Sequence, residues 1–243
     1  MIYALSDIHG NQAAFDQILY MIDLQQEDHL YIIGDVVDRG PHGIELLRRI
    51  REMPNITLML GNHEYMMINR LRNPDDWDLM RLWYKNGGRE TEEQFKALDT
   101  DEKESILSYL EGLPVQLDVP VWGTNYLLVH ACPTELFEQY TGWYENETEF
   151  AVWKRIDGFT SLPEGKTVIF GHTPTINLQE TEDKMRIFHT ERRIGIDCGC
   201  AYPDLGGQLA CLRLDDLKEF YSDEKDVSKD HDGKQAAETA PGP

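Results

Sequence analysis

Apolar side chains recur along the chain in two rhythms. Short runs at residues 1–5, 30–33, 56–60, 126–129, 168–170, 194–196 and 209–214 have the length and branched or aromatic content of strands. Residues 11–24 and 43–52 instead carry apolar side chains at i, i+3 and i+4, the spacing of amphipathic helices. The first three runs therefore alternate with helices as β-α-β-α-β. That order predicts an α/β fold with parallel pairing through helical crossovers. Residues 64–119 read differently. Met66, Met67, Leu71, Leu79, Leu82, Trp83, Ile106, Leu107 and Leu110 sit at helical spacing, with a break at Asn86-Gly87-Gly88. This segment is expected to be a helical cap inserted over one edge of the sheet. From residue 221 onward the periodicity stops and the sequence ends Ala-Pro-Gly-Pro. Residues 1–220 are thus expected to form one domain, followed by a disordered tail at 221–243.

Polar residues able to bind metals follow five of the strand-like runs directly. They are Ser6-Asp7-Ile8-His9-Gly10, Gly34-Asp35-Val36-Val37-Asp38-Arg39-Gly40, Gly61-Asn62-His63-Glu64, His130, and Gly171-His172-Thr173. In an open α/β sheet, ligands bind beyond the carboxyl ends of the strands. These motifs are therefore expected to meet in one crevice. Taken singly, each has an ordinary explanation. A D-x-H is usually a polar loop, GDxxDRG can be a turn with an Asp–Arg pair, and Glu64 favours a helix N-terminus. Their common order and strand-end placement are what the ordinary explanations fail to supply. The set contains imidazole, carboxylate and amide groups and no thiolate. Such donors suit Mn²⁺, Fe or Zn²⁺ with open positions, not a closed structural zinc site. A carboxylate such as Asp35 can bridge two ions, which would clamp both ends of an in-line displacement at phosphorus. His29, His42, His189 and His231 lie away from these strand ends and are not expected to be ligands.

Composition narrows the partners. The chain has 243 residues, of which 41% are hydrophobic, enough for one medium-sized domain with a core. Lys+Arg 23 against Asp+Glu 44 gives a net charge of −21. A surface that acidic repels nucleic-acid phosphates and anionic membranes, so neither is an expected partner. The N-terminus lacks a basic region followed by an apolar one, and no apolar run reaches the roughly 20 residues of a membrane span. Cys132, Cys198, Cys200 and Cys211 fit no disulfide scaffold, and reduced buried thiols in a cytoplasmic protein are the expectation.

With D-x-H-G, G-D-x-x-D-R-G, G-N-H-E and two isolated histidines in order, the sequence resembles the phosphoprotein phosphatases among the metallophosphoesterases. The similarity runs from Asp7 to about Leu214, and Asn86-Gly87-Gly88, Val152-Trp153-Lys154-Arg155 and Ile196-Asp197-Cys198-Gly199 resemble segments of short bacterial and phage members. The resemblance implies a calcineurin-like sandwich of mixed β-sheets flanked by helices. It implies two divalent ions, Mn²⁺ first among the candidates. Asp7, His9 and Asp35 would hold one, and Asp35, Asn62, His130 and His172 the other. It further implies that His63 protonates the leaving group, that Asp38 orients His63, and that Arg39 and Arg155 bind phosphate oxygens. One position departs from the pattern: many members have Arg before G-N-H-E, and here Leu60 completes an apolar run, which reads as packing.

Two functions compete. The first is hydrolysis of phosphomonoesters, with phosphoserine or phosphothreonine in proteins or a small phosphorylated molecule as substrate. The second is hydrolysis of dinucleoside polyphosphates, for which Arg70, Arg72, Arg81, Lys85 and Arg89 could supply the cations. A polynucleotide phosphodiesterase is disfavoured by charge. A non-catalytic binding module is disfavoured because the ligand set and His63 are complete.

Overall fold

The computed structural model describes residues 1–180 and 184–222. Its elements, in chain order, are β1 (Ile2–Leu5), α1 (Gln12–Ile22), β2 (His29–Ile32), α2 (Gly43–Glu52), β3 (Ile56–Leu58), α3 (Asn62–Arg72), α4 (Trp77–Lys85), α5 (Arg89–Lys96) and α6 (Thr100–Glu111). There follow β4 (Gln116–Val121), β5 (Thr124–Val129), α7 (Glu147–Trp153), β6 (Thr167–Phe170), β7 (Phe188–His189), β8 (Arg193–Gly195), β9 (Ala210–Arg213) and β10 (Glu219–Tyr221), with short 3₁₀ turns in the connections. They build two mixed sheets, ordered β10-β9-β1-β2-β3 and β4-β5-β6-β8-β7. As the alternation predicts, β1, β2 and β3 pair in parallel. The parallel pairs β5–β6 and β6–β8 form the centre of the second sheet.

Apolar runs are continuous because both faces of each sheet are covered, and successive residues enter different cores. Leu5, Leu30, Ile32 and Leu58 face a core shared with the helices, whereas Ala4, Ile33 and Met59 face the opposite sheet. Leu128 and Ile169 meet them there, while Leu127, Val129, Val168 and Phe170 pack outward around Phe150 of α7. The result is helices, sheet, sheet and a smaller helical layer.

Residues expected to cap the sheet edge form α3 to α6, but the helical run starts at Asn62 and stops at Glu111. Residues 116–119 belong instead to β4, an edge strand of the second sheet. Trp83, Phe95, Ile106 and Leu110 enter the same core as α1 and α2, so these helices wall the first sheet. Tyr221 closes β10 and is buried, so the folded part extends past the expected boundary at 220. The remaining tail, with His231, lies outside the described residues. Leu60 is 5% exposed and its N–H donates to the Pro114 carbonyl, in keeping with a packing role.

Candidate active site

Strand-end loops of both sheets converge on one cleft. After β1 and β2 the chains keep pairing, His9 N–H donating to Asp35 O at 2.9 Å and Gly10 N–H to Val36 O at 2.7 Å. The second sheet is tied in by Asp7, which accepts from His172 N–H at 3.1 Å, and by the His130 ring, 2.7 Å from Ile33 O. The backbone bends hard to achieve this. Asp7, His9, Asp35, Asp38, Arg39 and His172 all have φ between 50° and 70°, a left-handed conformation that costs non-glycine residues energy. Every one of them was singled out from the sequence as a site residue. Hydrogen bonds to buried side chains hold these bends: Asp38 N–H donates to Thr91, His172 N–H to Asp7, and Asp35 N–H to Glu64. The Glu64 carboxylate accepts the N–H groups of Asp35, Val36, Val37 and Gly61 at 2.8–3.2 Å.

The candidate ligands form two groups around Asp35. On one side Asn62 Oδ1 lies 2.9 Å from His130 Nε2 and 2.7 Å from His172 Nδ1, and His130 Nε2 lies 3.4 Å from Asp35 Oδ2. Ligands about 2.1 Å from a single ion stand about 3 Å apart, so this spacing fits shared coordination. On the other side His9 Nε2 is 3.9 Å from Asp7 Oδ1 and 3.8 Å from Asp35 Oδ2, a looser set. His63 Nε2 is equally close to Asp35, at 3.8 Å, so distance alone would admit it as a ligand. Its other nitrogen argues for a different role: Nδ1 is 2.7 Å from Asp38 Oδ2, which turns Nε2 toward Asp35 and Arg39, two residues that line the cleft. Arg39 donates toward His9 Nε2 at 3.1 Å and His63 Nε2 at 3.0 Å, so coordination by His9 and a proton on His63 Nε2 both require this guanidinium to turn outward.

Electrostatics favour cations here. Burial pushes the Asp7 carboxyl well above its ordinary range, with repulsion from Asp197 and Asp35 adding to it. Burial also opposes charge on Asp35, but His130 and His63 outweigh it and hold that carboxyl well below its ordinary range. His130 is conversely raised to about 10, Asp35 overcoming the burial penalty. Burial and the neighbouring His130 lower His172 to about 3. Burial, His63 and Arg39 likewise push His9 well below its usual value. The buried carboxyls of Asp7 and Asp35 repel one another, and His9 and His172 are held neutral beside them, so this set of carboxylate, amide oxygen and imidazole donors fits divalent ions.

Above the ligands opens a cleft of about 400 Å³, lined by Arg39 and Arg155, by Trp153 and by Tyr202. Trp153 sets its ring edge-on to His172, with centroids 6.1 Å apart. Asp197 also lines the cleft, is 5% exposed, and is raised to about 6 by burial. It was not among the expected site residues, although it follows the run at 194–196 just as Asp7 follows β1. Tyr202, whose hydroxyl meets Arg39 at 3.2 Å, had no signal in the sequence. His29 opens β2 and meets Thr57, while His42 and His189 meet Glu45 and Glu219, away from the cleft.

Residues 1–176 match the sequence profile described as calcineurin-like phosphoesterase. The chain is 26% identical over 222 residues to serine/threonine-protein phosphatase 1 of Salmonella typhimurium, covering 88% of this chain and 91% of that protein. It is 26% identical over 257 residues to the asymmetrical bis(5'-nucleosyl)-tetraphosphatase PrpE of Halalkalibacterium halodurans, at 90% and 91% coverage. A symmetrical bis(5'-nucleosyl)-tetraphosphatase of Paracidovorax citrulli is 28% identical over 178 residues. That match takes 71% of this chain and spans only 57% of the relative. The crystal structure of a metallophosphoesterase from Sphaerobacter thermophilus has a TM-score of 0.52 at 20% identity, covering 90% of this chain and 86% of that one, a likeness of fold alone.

Proposed function

The chain belongs to the calcineurin-like phosphoesterase family, a family of two-metal hydrolases, and from that premise we propose that it is a phosphomonoesterase of the serine/threonine protein phosphatase type. The observation that carries this reading is Asp35 at the junction of two ligand groups, beside a buried His63–Asp38 pair whose Nε2 faces it at 3.8 Å.

Asp7, His9 and Asp35 would hold one divalent ion and Asp35, Asn62, His130 and His172 the other, with Mn²⁺ the preferred metal. When bound, the ions supply a water-derived nucleophile at neutral pH and offset the charge of the phosphate. Arg39 and Arg155, both lining the cleft, bind phosphate oxygens, where a planar guanidinium offers two parallel donors. Breaking the P–O bond leaves an alkoxide, a strong base that departs readily only if protonated. His63 gives it the proton from Nε2, while Asp38 accepts from Nδ1 and fixes the ring.

Cations offered by the helical segment do not serve a polyphosphate. Arg70 pairs with Glu92 at 3.3 Å, Arg72 with Glu104 and Glu111 at 2.8 and 2.6 Å, and Arg81 with Asp78. Arg89 stacks on Tyr84, and neither these four residues nor Lys85 lines the cleft. Two arginines suit a single phosphate better than a chain of four. Among the described residues no helix is long and apolar enough to cross a membrane, and a cytoplasmic site of action is part of the proposal. Turnover of a phosphoserine peptide against diadenosine tetraphosphate, at equal Mn²⁺, tests the choice. The peptide should have the higher kcat/KM; a clear preference for the dinucleotide would reverse the assignment.

A further inference from the structure

Asp38 is gripped from the helical wall at two points. Its N–H donates to Thr91 Oγ1 of α5 at 3.0 Å. Its Oδ2 accepts the indole Nε1–H of Trp83 of α4 at 2.8 Å, alongside His63 Nδ1 at 2.7 Å. Trp83 is fully buried, and Asp38 has no accessible surface either. Oδ1 of Asp38 accepts no hydrogen bond within the described residues, so both donors aim the carboxylate through one oxygen. The turn after α4 is built around this contact. A Cβ on Gly88 would stand 2.3 Å from the Trp83 ring, so only glycine lets the chain pass beneath the indole. Gly87, at φ +101°, has its missing Cβ 2.9 Å from Arg39 and accepts the Arg39 N–H at 3.3 Å.

We infer that Trp83 is a positioning residue for the general acid: its indole N–H fixes the Asp38 carboxylate, and through it the imidazole of His63. This rests on the reading of His63 as the proton donor. A buried carboxylate with only one partner can rotate about its Cα–Cβ bond, and His63 would follow it. Geometric errors of that kind are expensive in proton transfer. Helices α4 and α5 are on this view part of the apparatus that positions the acid, although neither lines the cleft.

Trp83→Phe removes the donor while keeping most of the packing. With metal content measured in parallel, it should lose roughly tenfold in kcat on an alkyl phosphate, a part of the ~10²–10⁴-fold that general acid catalysis is worth. KM should hold, and the loss should nearly vanish for p-nitrophenyl phosphate, whose leaving group needs little protonation. Adding Trp83→Phe to Asp38→Asn should cost nothing further. A loss equal for both leaving groups, or additive with Asp38→Asn, would overturn the inference while leaving His63 in its role. A flat response of His63→Asn itself across leaving groups would remove the underlying reading. Should the Trp83→Phe protein fail to fold, benzothienylalanine in place of Trp83 has the shape of tryptophan without its N–H, and the same outcomes apply.

Discussion

Replacing Glu64 by glutamine tests whether one carboxylate holds the strained loop that carries Asp35. In the folded protein Oε2 accepts Asp35 N–H at 2.8 Å and Gly61 N–H at 3.1 Å, while Oε1 accepts Val36 and Val37 N–H at 2.8 and 3.2 Å. Glutamine keeps one oxygen and turns the other into an NH₂ that faces two buried N–H donors. Each orphaned buried donor costs about 1–3 kcal/mol, so Glu64→Gln should destabilise by about 2–6 kcal/mol. For a domain of this size 1 kcal/mol corresponds to about 2–4 °C in Tm, giving a drop on the order of 4–24 °C. Metal content should fall with it, because Asp35 with its φ of 57° sits on the loop being released. Calorimetry and metal analysis on the same preparation read both effects. A Tm within about 2 °C of the unmodified protein, with metal retained, would show that the four contacts are incidental.

Asp35→Asn should be the most damaging ligand change, since a neutral amide bridges two cations poorly; elemental analysis and kcat should fall together, and retention of both would remove Asp35 from the centre. His63→Asn should keep its metals and lose roughly 10²–10⁴-fold in kcat on alkyl phosphates, far less on p-nitrophenyl phosphate; loss of an ion would make His63 a ligand instead. All four cysteines are buried, and burial raises each thiol above its ordinary range, Cys132 and Cys200 to about 12. Thiolate chemistry is therefore suppressed at neutral pH in the native protein. Iodoacetamide should label none of the four until the protein is unfolded, and rapid native labelling would contradict their placement.

The residues that bear chemistry were easier to read from the sequence than the residues that hold them. Asp7, Asp35, Asn62, His130 and His172 stand just beyond apolar runs, and a strand end is where such a sheet exposes side chains to a ligand. Glu64 read as a helix-terminus charge, and it does cap α3 through Gly61, but its bonds to the loop after β2 join residues 27–29 positions apart. Nothing local encodes such a link. Trp83 likewise looked like one apolar position of an amphipathic helix, because an indole serves packing and hydrogen bonding with the same side chain. Strand β4 is not visible as an apolar run because Gln116, Asp118 and Pro120 interrupt its apolar residues, as an edge strand tolerates. β7 and β10 have two and three residues, too few for a period to appear.

If the five strand-end motifs make one two-metal hydrolytic site, metal stoichiometry and activity must rise and fall together. Protein prepared with Mn²⁺ should carry close to two ions per chain, lose phosphoserine-peptide hydrolysis on exhaustive chelation, and regain it as the second equivalent is restored. Full hydrolysis by protein from which the metal has been stripped would contradict it.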